Sequence, residues 1–295
     1  MSPPIVDSIH PSTIKLPIQI RTMTVAPSEN LLRDHLIKFG IQHFNDESYW
    51  AWGGEKLGEK QASHLDKLRK PLVRGKPKKA DLFAFYEFIA KPVVASVVHS
   101  LKADAIRATG EYVSACAEGN RILDTGCSIG YLTSWYALTH PTAAVLGIDF
   151  SPSSINVAKR YAVKLGIQNL EYKALDGSQL KALDLFDCIV DTQGMIDTQL
   201  DSKSFRLLMS WLQPGGKLIA VPAFGSLPQF EAFLDIAFSN QAAILSLEWI
   251  HFCDLGERGM YPGMILTHAA PERGLSRTQV LDIYRNGLIT FNQTQ

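Results

Sequence analysis

Apolar residues recur every three or four positions through residues 28–117. This spacing predicts a series of amphipathic helices. The first begins at Ser28, a typical N-cap residue, and a later one is interrupted at Pro92, because proline lacks the N–H that a helix interior needs. Residues 49–54 are rich in aromatic residues and glycine and are predicted to form a loop, whereas 1–27 hold five prolines and are predicted to form an extended arm. The predicted helices cover 28–44, 55–70 and 80–117.

The pattern changes after residue 120, where short β-branched runs alternate with amphipathic segments. This alternation is typical of a parallel α/β sheet. We predict an α/β fold with a mostly parallel, seven-stranded sheet, helices on both faces and an N-terminal helical cap. The chain then divides into the arm 1–27, a substrate-covering cap 28–105 and an α/β domain 106–295. The predicted strands are 121–125, 144–149, 169–174, 185–191, 216–222 and an antiparallel pair, 243–252 and 262–269; the helices between them are 130–139, 152–166 and 202–213.

Charge and cysteine content narrow the classes of function. The chain of 295 residues has 29 Lys and Arg against 29 Asp and Glu, and a net charge of zero argues against a protein that coats polyanions. A local surplus of positive charge remains, because residues 55–80 carry nine basic and three acidic side chains and so have a net charge of +6. The four cysteines form no C-x-x-C pair, and we find neither a long apolar run nor a signal sequence. We therefore expect a cytoplasmic protein without a membrane segment or a zinc site.

A glycine turn between a predicted strand and a predicted helix is the sharpest chemical signal. Two functions fit it. Gly126-Cys127-Ser128-Ile129-Gly130 matches the nucleophile elbow of an α/β hydrolase, with Ser128 as the nucleophile. Alternatively, the turn brings its backbone close to a cofactor, and an acid about 20 residues further on binds ribose hydroxyls. Asp149 stands at that position. The dinucleotide fingerprint G-x-G-x-x-G is not met, and Asp124 before the turn suits a cationic group.

Five segments in order carry a family resemblance: 124–130, 149–150, 175–177, 186–191 and 212–218. They resemble the successive motifs of class I S-adenosylmethionine (SAM)-dependent methyltransferases of the small-molecule type, which have a Rossmann-like sheet. Ser128 stands where the family usually has its middle glycine. The resemblance implies SAM as the cofactor, with Asp124 pairing with its ammonium group and Asp149 binding its ribose. By the same resemblance, the other cofactor-binding residues are Gly126, Cys127, Ser128 and Gly130 in the turn, Phe150, Asp176 and Gly177 at the adenine, and Asp191 in the pocket.

The resemblance also implies a small-molecule acceptor that is methylated at oxygen or nitrogen. Residues 191–194, Asp-Thr-Gln-Gly, lack the Asn/Asp-Pro-Pro-Tyr/Phe of relatives that methylate amino groups of DNA or of protein glutamine. No acidic cluster of the metal-dependent relatives is evident in the sequence, so we predict no metal.

His251, near the end of a late predicted strand, is the candidate catalytic base. The predicted acceptor-binding residues are His43, Tyr49, Trp50 and Trp52, although the three aromatics would serve equally well to anchor the cap. We do not expect a nucleic-acid partner. The alternative is a cap whose basic run binds RNA or a carrier protein.

Overall fold

The structure is a computed structural model that describes residues 28–73, 77–175, 185–198, 201–224, 226–268 and 274–293. The predicted arm 1–27 lies outside these residues. Within the described residues, five helices precede β1 (Arg121–Thr125): α1 (Ser28–Lys38), α2 (Ser48–Val73), α3 (Lys79–Ile89), α4 (Pro92–Ser100) and α5 (Ala103–Cys116).

The front part of the chain differs from the prediction in one segment and agrees with it at Pro92. The segment 49–54, expected to be a loop, forms the beginning of α2, and the chain kinks at Gly58, whose φ is 64°. A glycine adopts this backbone conformation without a steric penalty. Pro92 occupies the first turn of α4, where its missing N–H costs no hydrogen bond. The predicted long helix is therefore three helices, α3 to α5.

The remaining elements alternate as an α/β fold should. They are β1 (Arg121–Thr125), α6 (Tyr131–Thr139), β2 (Ala144–Asp149), α7 (Pro152–Leu165), β3 (Leu170–Ala174), β4 (Phe186–Thr192), α8 (Met195–Thr198), α9 (Ser202–Ser210), β5 (Leu212–Val221), α10 (Leu227–Ser239), β6 (Ala243–Asp254), β7 (Glu257–Thr267) and α11 (Arg277–Gln293). β5 begins four residues earlier than predicted, because Leu212 pairs with Phe186 before the register shifts and Lys217 pairs with Cys188.

In the part of the chain that the structure describes, seven strands form one sheet in the order β3-β2-β1-β4-β5-β7-β6. The first five strands in this order run parallel, and β7 is antiparallel to both of its neighbours. This is the predicted mostly parallel sheet with an antiparallel closing pair. Parallel strands place their carboxyl ends on one edge, so the ends of β1, β2 and β4 meet where α/β folds bind ligands.

Helices cover both faces of the sheet. Successive residues of β1 point to opposite faces of the sheet. Leu123 joins a cluster with α9, α10 and α11, while Ile122 joins a cluster with α1, α5 and α6. A separate small cluster holds α2, α3 and α4 together around Phe88. α1 is thus part of the sheet layer, and we use the word cap below for α2 to α4. Within the described residues no single helix has the length and apolar character to cross a membrane. Helices α3 and α4 have this length and character only when they are taken together, and the pair is bent by 100°.

Candidate active site

The glycine turn connects the end of β1 to α6. Three of its residues have left-handed backbone conformations: φ is 73° at Gly126, 51° at Ser128 and 83° at Gly130. A Cβ atom on Gly130 would lie 2.4 Å from the Tyr172 hydroxyl oxygen, which donates a hydrogen bond to the Gly130 carbonyl. The turn is therefore packed against β3 so closely that only glycine fits at its last position.

Asp149, at the end of β2, holds the turn from the side. Its Oδ2 accepts a hydrogen bond from the Ser128 N–H at 2.9 Å, and its Oδ1 accepts one from the Ser151 N–H at 2.8 Å. The side chain is buried, and burial raises the pKa of Asp149 although both N–H donors oppose the rise. A carboxylate has about four acceptor positions, so two remain for further donors such as a pair of ribose hydroxyls.

Asp124, on β1 beneath the turn, is a buried carboxyl that lacks a full set of partners. Its Oδ2 accepts a hydrogen bond from the Thr133 hydroxyl at 2.5 Å, but its Oδ1 has no partner among the described residues. Burial, with smaller contributions from Asp191 and Asp149, raises the pKa of Asp124 to about 7. An orphaned, buried carboxylate oxygen is costly unless a donor or a cation completes it. The site thus fits a ligand with an ammonium group, whereas the pairing of Asp124 with SAM stays a prediction.

A cleft opens over the turn and the end of β2. Four predicted cofactor residues line it: Gly126, Ser128, Asp149 and Phe150. The others that the structure describes, Asp124, Cys127, Gly130 and Asp191, are buried below its surface. The lining is completed by Tyr86, Ile148, Leu175, Gln193, Gly194, Met195 and Thr198.

Tyr86 is one of the lining residues that the sequence did not predict. It belongs to α3 of the cap, and its ring meets the Phe150 ring edge-on, with 5.2 Å between centroids and 84° between planes. Burial, together with the charges of Asp149 and Asp197, raises the pKa of Tyr86 to about 12, so its hydroxyl stays protonated. The helical pattern of α3 gave only an apolar face, and no motif marked this residue.

Asp191, predicted as a pocket residue, serves instead as the N-terminal cap of a short helix in this structure. Its carboxylate accepts hydrogen bonds from the Thr125 hydroxyl at 2.7 Å and from the N–H groups of Gly194, Met195 and Ile196. It is fully buried. Its acceptor positions are thus occupied by protein donors, and it shapes the cleft by fixing the segment that follows β4.

The residues predicted to bind the acceptor do not line this cleft. The Tyr49 hydroxyl donates to the Val97 carbonyl at 3.0 Å, whereas Trp50 is 62% exposed. Trp52 lies against the Phe44 ring with 4.9 Å between centroids. These contacts are those of aromatics that anchor the cap.

The predicted histidines also lie away from the cleft. His43 lies near Asp104 and Asp254, on the side of the fold where burial raises the pKa of Asp254. His251, the candidate base, is exposed on β6. Asp176 and Gly177 lie outside the described residues.

Two alternative kinds of site, a hydrolase active site and a metal centre, need groups of side chains that the described residues do not bring together. A hydrolase nucleophile requires a histidine within hydrogen-bond reach, and none of the described histidines hydrogen-bonds Ser128. In the part of the chain that the structure describes, no group of three His, Cys, Asp or Glu is placed to hold a metal ion.

Comparison with known proteins points to one family. Residues 117–232 match a family model described as a methyltransferase domain. Over 112 residues the chain is 30% identical to the ubiquinone/menaquinone biosynthesis C-methyltransferase UbiE of Pseudomonas savastanoi pv. phaseolicola, covering 37% of this chain and 44% of that protein. It is 32% identical over 112 residues to the ubiquinone biosynthesis O-methyltransferase of Xanthomonas axonopodis pv. citri, covering 37% and 46%. The chain thus spans less than half the length of these curated relatives.

The likeness extends to solved structures. The cyclase SpnF has a TM-score of 0.51 and 19% identity, over 59% of this chain and 76% of that chain. This match shows the shared fold alone. The parallel sheet, the glycine turn and the match of residues 117–232 to a methyltransferase domain make this part of the chain similar to class I SAM-dependent methyltransferases.

Proposed function

We propose that this protein is a SAM-dependent methyltransferase that acts on an oxygen or nitrogen of a small-molecule acceptor. The observation that carries the proposal is the pair of buried carboxylates at one edge of the sheet. Asp124 offers an unpartnered oxygen below the glycine turn, and Asp149 keeps two free acceptor positions beside it. A ligand with an ammonium group and a vicinal diol complements both.

The residues of this chain divide the binding of SAM among them. Asp124 would pair with the ammonium group, directly or through water, and Asp149 would accept from the ribose hydroxyls. Phe150 and Tyr86 would provide apolar walls for the adenine. When bound, SAM supplies a methyl group on a sulfonium, which a nucleophile takes by in-line displacement. Orientation by the protein can supply much of the acceleration, and a base is needed only if the nucleophile starts protonated.

The acceptor enters, in this proposal, from the side of β4 and β7. Gln193 lines the cleft with a φ of 55°, an uncommon conformation for a residue other than glycine. Tyr261 on β7 lies near the Gln193 side chain, which follows the end of β4. The two curated relatives act at carbon and at oxygen according to their names, and for this chain the acceptor atom rests on the family resemblance.

Calorimetric titration with SAM and with its demethylated product S-adenosylhomocysteine (SAH) tests the proposal. We expect wild type to bind both, and Asp149→Asn to weaken binding about 10- to 100-fold, because an amide replaces a charged acceptor of two hydroxyls. Asp187→Asn is the matched control. Asp187 also accepts backbone N–H bonds, from Asn120 at 2.7 Å and Arg121 at 2.9 Å, but at the opposite edge of the sheet.

Two results would contradict the proposal: no binding of either ligand by wild type, or equal losses in the two variants. Once binding is established, an untargeted screen with isotopically labelled SAM over metabolite and RNA fractions identifies the acceptor class. Label in RNA would favour the alternative in which the basic cap binds nucleic acid.

A further inference from the structure

One carboxylate joins the cap to the segment that follows Asp149. Glu87, on α3, accepts hydrogen bonds from the Ser151 hydroxyl at 2.5 Å and the Ser153 hydroxyl at 2.6 Å, and from the Ser153 N–H at 3.2 Å. Both serines stand at the start of α7, and unpaired N–H groups at a helix N-terminus favour a carboxylate there. Burial opposes ionisation, but these three donors outweigh it and lower the pKa of Glu87.

Ser151 links this contact to the proposed cofactor site. Its hydroxyl donates to Glu87 and accepts from the Ser154 N–H at 3.1 Å, while its own N–H donates to Asp149 Oδ1 at 2.8 Å. Ser151 is completely buried. A single residue therefore transmits the position of the cap to the carboxylate proposed to bind ribose.

The same turn of α3 covers the cleft. Tyr86 precedes Glu87, lines the cleft and packs edge-on against Phe150, and the Phe83 ring lies 6.4 Å from the Phe150 ring. Phe83 is 46% exposed, so this cover sits at the rim of the cleft. Moving α3 away would open the adenosine end of the cleft and would break the Glu87 bonds at the same time.

We propose that Glu87 is a positioning residue that holds α3 closed over the adenosine moiety of the cofactor, and that cofactor exchange requires its bonds to Ser151 and Ser153 to break. This inference rests on the proposed function, because it assigns the cleft to SAM. Glu87 acts through Ser151 and through the attached Tyr86, and it does not itself line the cleft.

The test combines ligand dissociation with hydrogen exchange. In Glu87→Ala, SAH dissociation measured by stopped flow should accelerate about 10- to 100-fold, the effect expected when hydrogen bonds to a charged group are lost. Without ligand, amide exchange should rise in α3 and at the start of α7 and stay unchanged in β4 and β5. Ser153→Ala, which removes one donor and keeps the helix, should give a smaller effect in the same direction, and Glu87→Gln should restore part of the wild-type rate.

Glu231→Ala is the matched control, because Glu231 also bridges two helices, through a 3.1 Å bond from Arg285, but away from the cleft. It should leave SAH dissociation unchanged. Unchanged dissociation in Glu87→Ala with binding intact in wild type would overturn the positioning role alone. Unchanged exchange in α3 would do the same. Failure of wild type to bind SAH would instead overturn the proposed function, and the positioning role with it.

Discussion

Replacing Asp124 by asparagine should stabilise the protein without ligand and should remove its affinity for SAM. The carboxyl is 2% exposed, and burial raises its pKa from 3.8 to about 7. A rise of this size means that the ionised form is destabilised in the folded state by about 4 kcal/mol at pH 8. Asparagine carries no charge, but its amide leaves a donor or acceptor unpaired beside Thr133, which costs about 1–3 kcal/mol. We expect a net gain of about 1–3 kcal/mol at pH 8.

The pH dependence of unfolding separates this explanation from a general packing effect. Between about pH 4 and 7 the folded state holds a proton on Asp124 that the unfolded state has lost, so this residue makes stability fall as pH rises. Urea unfolding of wild type and Asp124→Asn at several pH values measures the difference, which should reverse near pH 4, where only the cost of the unpaired amide, about 1–3 kcal/mol, remains. SAM should bind wild type more weakly below pH 7, because the protonated carboxyl no longer attracts an ammonium group.

Asp104→Asn is the control with the opposite sign. Asp104 is also buried, yet bonds from the Arg107 guanidinium at 2.8 Å and the Cys253 N–H at 2.8 Å outweigh burial and lower its pKa. Its carboxylate therefore stabilises the fold at neutral pH, and this contribution is lost as pH falls below about 4. Asp124→Asn would refute the reasoning if it were less stable than wild type at pH 8, or if its stability had the pH slope of wild type.

Two further predictions concern the turn and the thiols. Gly130→Ala should cost about 2–4 kcal/mol in urea unfolding, because a left-handed alanine there would also clash with the tyrosine of β3; Gly166→Ala, at a φ of 68° with no atom within 4 Å of a new Cβ, should cost only about 1 kcal/mol. Cys253 is exposed, whereas Cys127 and Cys188 are buried with raised thiol pKa values, so a disulfide exchange reagent should modify Cys253 first and the buried pair only on unfolding.

The sequence predicted the sheet well because its signals are local. A buried strand, a tight turn and a capped helix each leave a pattern within about ten residues, so β1, β2 and the positions of Asp124 and Asp149 followed from the letters. The same local rule placed Asp191 at the end of β4. The local pattern could not show how the residues after β4 fold. In the structure the Asp191 carboxylate accepts hydrogen bonds from the N–H groups of Gly194, Met195 and Ile196 rather than facing a ligand.

The cap was harder to predict because its contacts are set by docking. Aromatic residues at 49–54 suggested a pocket, but the segment is helical, with Trp50 turned to solvent. Tyr86 reaches the cleft and Glu87 reaches the start of α7 from α3, more than 60 residues before Asp149 in the chain, and their helix gave only an apolar periodicity. Periodicity tells which face of a helix is buried, but it does not tell against which strand or loop that face packs.

Ser128 shows how the turn keeps its shape without its usual middle glycine. Its φ of 51° lies in the left-handed region, which costs a residue with a side chain roughly 1–2 kcal/mol. Its N–H donates to the Asp149 carboxylate at 2.9 Å, and a hydrogen bond to a charged group contributes about 1.5–3 kcal/mol. The two quantities are of similar size, so the bond to Asp149 can offset the strain. Asp149 therefore holds the turn as well as facing the cleft, and loss of its hydrogen bond to Ser128 should loosen the turn even before any cofactor binds.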